Sequence, residues 1–228
     1  MSNYKNTPPP TLPRDVFVLG LTGVSGAGKD LFASFFLDEA RTYQYAHSNN
    51  YDTVDFRRFS LADELKHIGI SYFGMSKTDC FTQEGKAAPH RYINGKDGSP
   101  KTNREVLQQI STAVHEIDPF VLCRQLDDYC RYEREKGRKM FMVIPDVSLP
   151  QQGDYCRANG ELWRIRREEV ESGSYTHDTE HFRRYGDVDR EIDNNGSTFD
   201  LQESAEHYVQ IMLDKIAPDP DAIRTTNS

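Results

Sequence analysis

Residues 23–30, Gly-Val-Ser-Gly-Ala-Gly-Lys-Asp, stand between an apolar run over residues 16–21 and a segment of helical spacing over residues 30–40. A buried strand that turns through three glycines into a helix leaves few architectures open. Gly23, Gly26 and Gly28 let the backbone wrap closely around a polyphosphate, and the helix N-terminus points its amides at that anion. Lys29 is placed to reach the β and γ phosphates, with Ser25 and Ala27 lending backbone amides to the same cradle. The motif therefore predicts nucleoside triphosphate binding. Its last position departs from the usual Ser or Thr that helps to hold Mg²⁺, because Asp30 stands there. A carboxylate can ligate Mg²⁺ directly or through water, or pair with a basic neighbour.

Length and composition bound the remainder. A chain of 228 residues suits one α/β domain with a small appended lid. The net charge of −8 argues against non-specific coating of DNA. Cys80, Cys123, Cys130 and Cys156 form no Cys-x-x-Cys pair, which predicts reduced packing thiols and a cytoplasmic setting. The sequence shows no stretch long enough to span a bilayer and no signal-peptide core, so no membrane partner is expected.

Prolines among polar residues make 1–14 a disordered lead, and 217–228 reads as a flexible tail; residues 15–216 form the expected single domain. Strands are predicted over 53–60, 139–146 and 161–166, and helices over 61–73, 103–115, from Asp118 to about Gly137, and 199–216. The helix over 61–73 carries Leu61, Leu65, Ile68 and Tyr72 at apolar spacing. The next carries Val106, Leu107, Ile110 and Val114 on one side and Arg104, Gln108 and Ser111 on another, the stripe available to a substrate. Between them, residues 76–102 are rich in Gly, Lys, Pro and Asp, with Asn94-Gly95 and Asp97-Gly98 as turn signals, and read as a long functional or mobile insertion. A parallel sheet with crossover helices is the economical assembly: a three-layer α/β fold of the P-loop kinase type.

Asp146 ends an apolar run, which places it at the carboxyl edge of such a sheet as a candidate for Mg²⁺ or its waters. Pro145 inside that run is awkward for a central strand. Phosphoryl transfer is governed by positioning and by cations around the moving group. Lys66, Arg104, Arg164, Arg166, Arg167, Arg183 and Arg184 are available, and residues 166–186 have the charged, glycine-containing composition of a closing lid. His177-Asp178-Thr179-Glu180-His181 also fits the inverted zinc-peptidase pattern, but Gly173, Ser174, Asp178 and Thr179 make a poor helix without an apolar stripe.

Taken in order, these segments resemble the phage-type deoxynucleoside monophosphate kinases over most of residues 16–213. That family similarly ends its loop in Gly-Lys-Asp, as do animal-type phosphomevalonate kinases. Phe59-Ser60-Leu61-Ala62-Asp63-Glu64-Leu65-Lys66 resembles its segment after the second strand. Residues 104–112 resemble its Arg-x-x-Leu-Gln-x-x-Gly-Thr helix, with Ser111 in place of glycine. Val143-Ile144-Pro145-Asp146 looks like its Val-Val-Pro-Asp strand end, and residues 157–160 like its Arg-Ala-x-Gly turn. Thr176-His177-Asp178-Thr179-Glu180 is similar to its Thr-His-x-(Ser/Thr)-Glu lid element, and residues 192–197 to its Ile-x-Asn-x-Gly-Ser turn near the donor base.

The resemblance implies phosphoryl transfer from ATP, with Mg²⁺, to a deoxynucleoside monophosphate for DNA precursor supply in an infected bacterial cytoplasm. It implies acceptor contacts from Lys66, Arg104, Gln108, Asp146 and Glu180, donor contacts from residues 23–30 with Asn194 and Gly196, and lid cations Arg166, Arg167 and Arg183. Asp30 and Asp146 become the metal-side carboxylates. Small-molecule nucleotides are the expected partners, with no stable nucleic-acid binding, for a monomer or homodimer. Ser148 and Gln152 depart from the family, which carries Arg and Glu there. The departure leaves open a modified-base acceptor, free or within DNA, and a non-catalytic nucleotide switch is the alternative of another class.

Overall fold

The computed structural model describes residues 7–46, 54–137, 139–171, 182–184 and 186–216. In chain order the elements are β1 (Val16–Thr22), α1 (Lys29–Ala46), β2 (Val54–Arg58), α2 (Leu61–Phe73), α3 (Lys77–Phe81), α4 (Gln83–Ala87), β3 (Pro89–Asn94), β4 (Pro100–Thr102), α5 (Asn103–Ile117), α6 (Val121–Arg134), β5 (Lys139–Ile144), α7 (Pro150–Asn159), β6 (Gly160–Arg166), α8 (Glu168–Glu171), β7 (Arg190–Asp193) and α9 (Thr198–Ile216). They divide into two compact units, one of Pro9–Phe59 with Gln125–Ser228 and one built on Ser60–Arg124.

The first unit is an α/β layer structure. Its five strands run in the order β2-β5-β1-β6-β7, all paired in parallel. β1 therefore lies between two hydrogen-bonded neighbours, and its residues are nearly all buried as a central parallel strand requires. Leu19 and Leu21 face a core with Phe32, Phe36, Phe141, Trp163 and the α9 residues Leu201 and Val209. Phe36 packs edge-on to the fully buried Trp163, with ring centroids 6.3 Å apart. On the opposite face α7 approaches so closely that a Cβ on Gly20 would stand 2.5 Å from Cys156 Sγ. The Tyr155 hydroxyl donates to Asp127 Oδ1 at 2.7 Å, tying α7 to α6. Helices on both faces of a parallel sheet give the three-layer arrangement of a P-loop kinase.

The proline-rich lead is held from Pro10 onward, because Asn159 donates to the Pro10 carbonyl and accepts from Leu12 N–H. α7 and β7 were not foreseen. Residues 150–159 bury Gln151, Gln152, Gly153, Tyr155 and Cys156, a mixed set without the apolar periodicity that marks an amphipathic helix.

The second unit is helical, with an antiparallel hairpin. Met75, Cys80, Val106 and Ile110 form its core, joined by Leu65, Ile68, Leu107 and Val114. The spacing assigned Tyr72 to the same stripe, but it is 82 % exposed. The turn-rich insertion over 76–102 is built structure. Ser76 and Asp79 cap α3 reciprocally, Thr102 and Glu105 do the same for α5, and Asn94-Gly95 opens the β3–β4 turn closed by Gly95 N–H to the Ser99 carbonyl at 2.7 Å. All four cysteines are free and buried. Burial pushes the Cys130 thiol up to about 12 and raises Cys156 as well, so both stay neutral packing groups.

Candidate nucleotide-binding site

The loop leaving β1 owes its course to backbone angles that side chains rarely adopt. Gly23 has φ +134° and Gly28 φ +99°. A Cβ on Gly23 would run into the Ile165 carbonyl, and one on Gly28 into the Asn194 amide. Val24 and Ala27 are buried, while Ser25 and Gly26 are exposed at the crest. Asn194 holds the loop from behind: its side-chain amide donates to the Ala27 carbonyl at 2.8 Å, and its own N–H donates to the Arg166 carbonyl at 2.8 Å. Lys29 bends back over the loop, donating to the carbonyls of Gly23 and Val24 at 2.8 Å each. The first-turn amides of α1 have no carbonyl four residues earlier within the helix, leaving a rigid concave donor set beside a lysine.

Two carboxylates sit at this carboxyl edge. Asp30, in the first turn of α1, is ion-paired with Arg58 at the end of β2, and both side chains are exposed. Asp146 lies two residues beyond the end of β5, and Val147 N–H donates to the Leu21 carbonyl at 3.2 Å, which draws this turn alongside the end of β1. Pro145 lies one residue beyond the last residue of β5, Ile144, so the strand is assigned no residue with a missing donor. The departures at Ser148 and Gln152 are coupled. Gln152 is buried, and its Oε1 accepts from Ser148 N–H, Leu149 N–H and the Ser148 hydroxyl, at 2.9, 3.1 and 3.3 Å. A neutral hydrogen-bonded turn thus stands at these two positions.

At Gly23 and Gly28 the room for a Cβ is taken by the protein's own Ile165 carbonyl and Asn194 amide, so these two glycines are required by the packing of the loop itself. Among the described residues no three His, Cys, Asp or Glu side chains gather as a metal cage. A Mg²⁺ carried by phosphates takes one or two carboxylates and keeps waters, a demand Asp30 and Asp146 are able to meet.

The cations divide by environment. Arg164 is buried, pairs with Glu191, and donates to the carbonyls of Arg183 and Gly186, so it is a structural tie rather than an open ligand. Arg166 lies 3.6 Å from Glu191 and Arg167 2.9 Å from Glu169. Arg183 is described through its carbonyl, whereas Thr176, His177, Glu180 and His181 lie outside the described residues. Gly196 belongs to the turn where Ser197 and Asp200 cap α9 reciprocally. Lys66, Arg104 and Gln108 belong to the other unit. There Lys66 pairs with Asp63 at 2.6 Å, its ammonium 4.4 Å from the Phe81 ring centre; Arg104 donates to Gln83 at 2.8 Å and Gln108 is exposed. Sequence reading missed Arg58, which only the β2–β5 register brings to the loop, and read Asn194 as a ligand where its side chain latches the backbone.

The site is a glycine-rich loop at the carboxyl edge of a parallel α/β sheet. No protein-family model matches the sequence, and no curated protein matches it. Among solved structures, a dephospho-CoA kinase from Campylobacter jejuni is similar at a TM-score of 0.40 and 13 % identity, over 87 % of this chain and 98 % of that one. No helix among the described residues is long and apolar enough to cross a membrane.

Proposed function

We propose that this chain is a P-loop kinase that moves the γ-phosphoryl group of ATP to a deoxynucleoside 5′-monophosphate. The observation that supports it most is the loop itself, whose glycine angles, Asn194 latch and overhanging Lys29 form a cradle for a triphosphate. Loop amides and Lys29 hold the donor phosphates. Asp30 and Asp146 would hold Mg²⁺, which would supply charge neutralisation on the donor phosphates when bound. No side-chain base is required, because the acceptor phosphate is already an anionic nucleophile near neutral pH. The acceptor role of Lys66, Arg104, Gln108 and Glu180, and the lid role of Arg166, Arg167 and Arg183, rest on the sequence resemblance. A modified-base acceptor is the second reading, favoured by the neutral Ser148–Gln152 turn.

ADP formation from ATP and Mg²⁺ with each deoxynucleoside monophosphate, normal and 5-substituted, is the test. Multiple turnover on at least one of them is expected. Silence on all of them would remove the mononucleotide reading, and tight ATP binding without turnover would favour a switch.

Arg58 gives a sharper expectation. Its guanidinium neutralises Asp30, which otherwise presents a negative charge to an anionic ligand. Arg58→Gln is expected to weaken metal-free ATP binding about fivefold, the equivalent of roughly 1 kcal/mol between partly screened charges. Adding Asp30→Asn should restore that affinity. Calorimetry in EDTA checks this, and a double variant no better than Arg58→Gln alone would mean that Arg58 touches the phosphates itself.

A further inference from the structure

Among the described residues many arginines of this acidic chain are met by a carboxylate, as Arg41 by Asp38, Arg57 by Asp55, and Arg134 by Asp15. The β3–β4 hairpin is the exception. Residues 86–104 contain five cations, Lys86, Arg91, Lys96, Lys101 and Arg104, and one carboxylate, Asp97. That carboxylate is engaged by the Ser99 N–H and hydroxyl, and the adjacent Glu105 by the Thr102 N–H and hydroxyl. Among the described residues, Arg91, Lys96 and Lys101 form no ion pair, and Arg104 donates to the neutral Gln83. The hydrogen bonds from Ser99 and Thr102 hold both carboxylates in the turns as anions, and the hairpin keeps its excess of cations by number.

The same ribbon exposes an aromatic face. Tyr92 is 70 % exposed, with the Arg91 guanidinium 5.8 Å from its ring centre. Its ring edge lies 3.3 Å from where a Cβ on Gly74 would stand, two residues beyond the exposed Tyr72. The mount is rigid. Tyr92 and Ile93 N–H both donate to His90 Nδ1, at 3.1 and 3.2 Å, which leaves Nε2 to donate to the Phe73 carbonyl at 3.0 Å. A buried histidine therefore pins the base of the hairpin to the end of α2.

We propose that this hairpin is a docking surface for single-stranded nucleic acid, with phosphates on Arg91, Lys96 and Lys101 and an unpaired base against Tyr92. A local excess of cations matches a polyanion, and an exposed ring held in place offers a planar partner a stacking face. A duplex hides its base faces and an acidic peptide offers none. The inference is independent of the kinase reading, and the chain's net charge of −8 confines the attraction to this local patch.

Fluorescence anisotropy of a labelled 20-nucleotide oligothymidylate, titrated across salt concentrations, tests it. The full chain is expected to bind at low salt with log affinity falling against log salt at a slope of about −2 to −3, as three or four phosphate contacts give. Lys96→Glu/Lys101→Glu should lose at least tenfold in affinity and flatten the slope. Tyr92→Ala should lose about tenfold with the slope kept. Unchanged circular dichroism melts would show both variants folded. Absent binding, or binding indifferent to these changes, overturns the proposal. Equal or tighter binding of duplex, or competition by oligoglutamate at equal charge, overturns the single-strand assignment.

Discussion

Lys29→Ala is expected to lower ATP turnover by about a thousandfold in a protein that stays folded. Phosphoryl transfer draws its rate from positioned positive charge, and losing one preorganised donor in such a site costs about 10² to 10³ in rate. The lysine also loses its own ligands' company: its ammonium now donates to the Gly23 and Val24 carbonyls. Those two bonds are half-exposed, so their loss costs about 1 to 2 kcal/mol at most. For a chain of this size that is a melting shift of about 2–8 °C. The loop also retains its Asn194 latch. ADP release and a melting curve on the same preparation separate chemistry from folding. Lys29→Arg should recover only part of the loss, because a planar fork does not substitute for a point charge inside a tight loop. Unchanged turnover in Lys29→Ala would sink the site assignment.

Legibility of the fold in the sequence followed the source of each element's stability. β1 and β5 are buried on both faces and announce themselves as apolar runs, whereas β6 carries Glu161 and Arg164 among its apolar residues and showed only as a short strand candidate; α2 was placed at its observed bounds from the spacing of its apolar residues. α7 was illegible because its buried side mixes Gln151, Gln152, Gly153 and Cys156 with a single large apolar residue, Tyr155, which leaves no apolar periodicity. β7 has four residues and only Ile192 buried, too short for any alternation to show. At the site, the glycines, Lys29 and Asp146 were readable because their spacing is local. The Arg58–Asp30 pair, 28 positions apart, and the Asn194 latch, 167 positions from Ala27, depend on strand order, which no window of sequence contains. The same holds for Arg164, whose residue type suggested a ligand and whose burial makes it a tie.

Arg164→Met is expected to be among the most destabilising single changes in the sheet unit, by about 3 kcal/mol or more. The guanidinium is buried, pairs with its β7 register neighbour Glu191, and donates to the carbonyls of Arg183 and Gly186. Methionine fills much of the space, so the loss is electrostatic: two carbonyls lose a charged donor and Glu191 keeps only Arg166, at 3.6 Å. Breaking a buried pair by removing one partner costs about 3–5 kcal/mol. At about 2–4 °C per kcal/mol for a chain of this length, the melting temperature should fall by about 6 °C or more. Glu191→Gln leaves both carbonyl bonds in place, and its carboxylate is 44 % exposed, so it should cost no more than about 1 kcal/mol. A larger loss from Glu191→Gln than from Arg164→Met would show that the ion pair, and not the grip on the 183–186 backbone, is what Arg164 contributes. Limited proteolysis reads the same difference locally, since only the Arg164 variant should gain cleavage near residues 182–186. The catalytic consequence is then separable: a backbone released beside β6, whose end carries the Asn194 latch through the Arg166 carbonyl, loosens the loop from behind and should raise the KM for ATP before it lowers kcat.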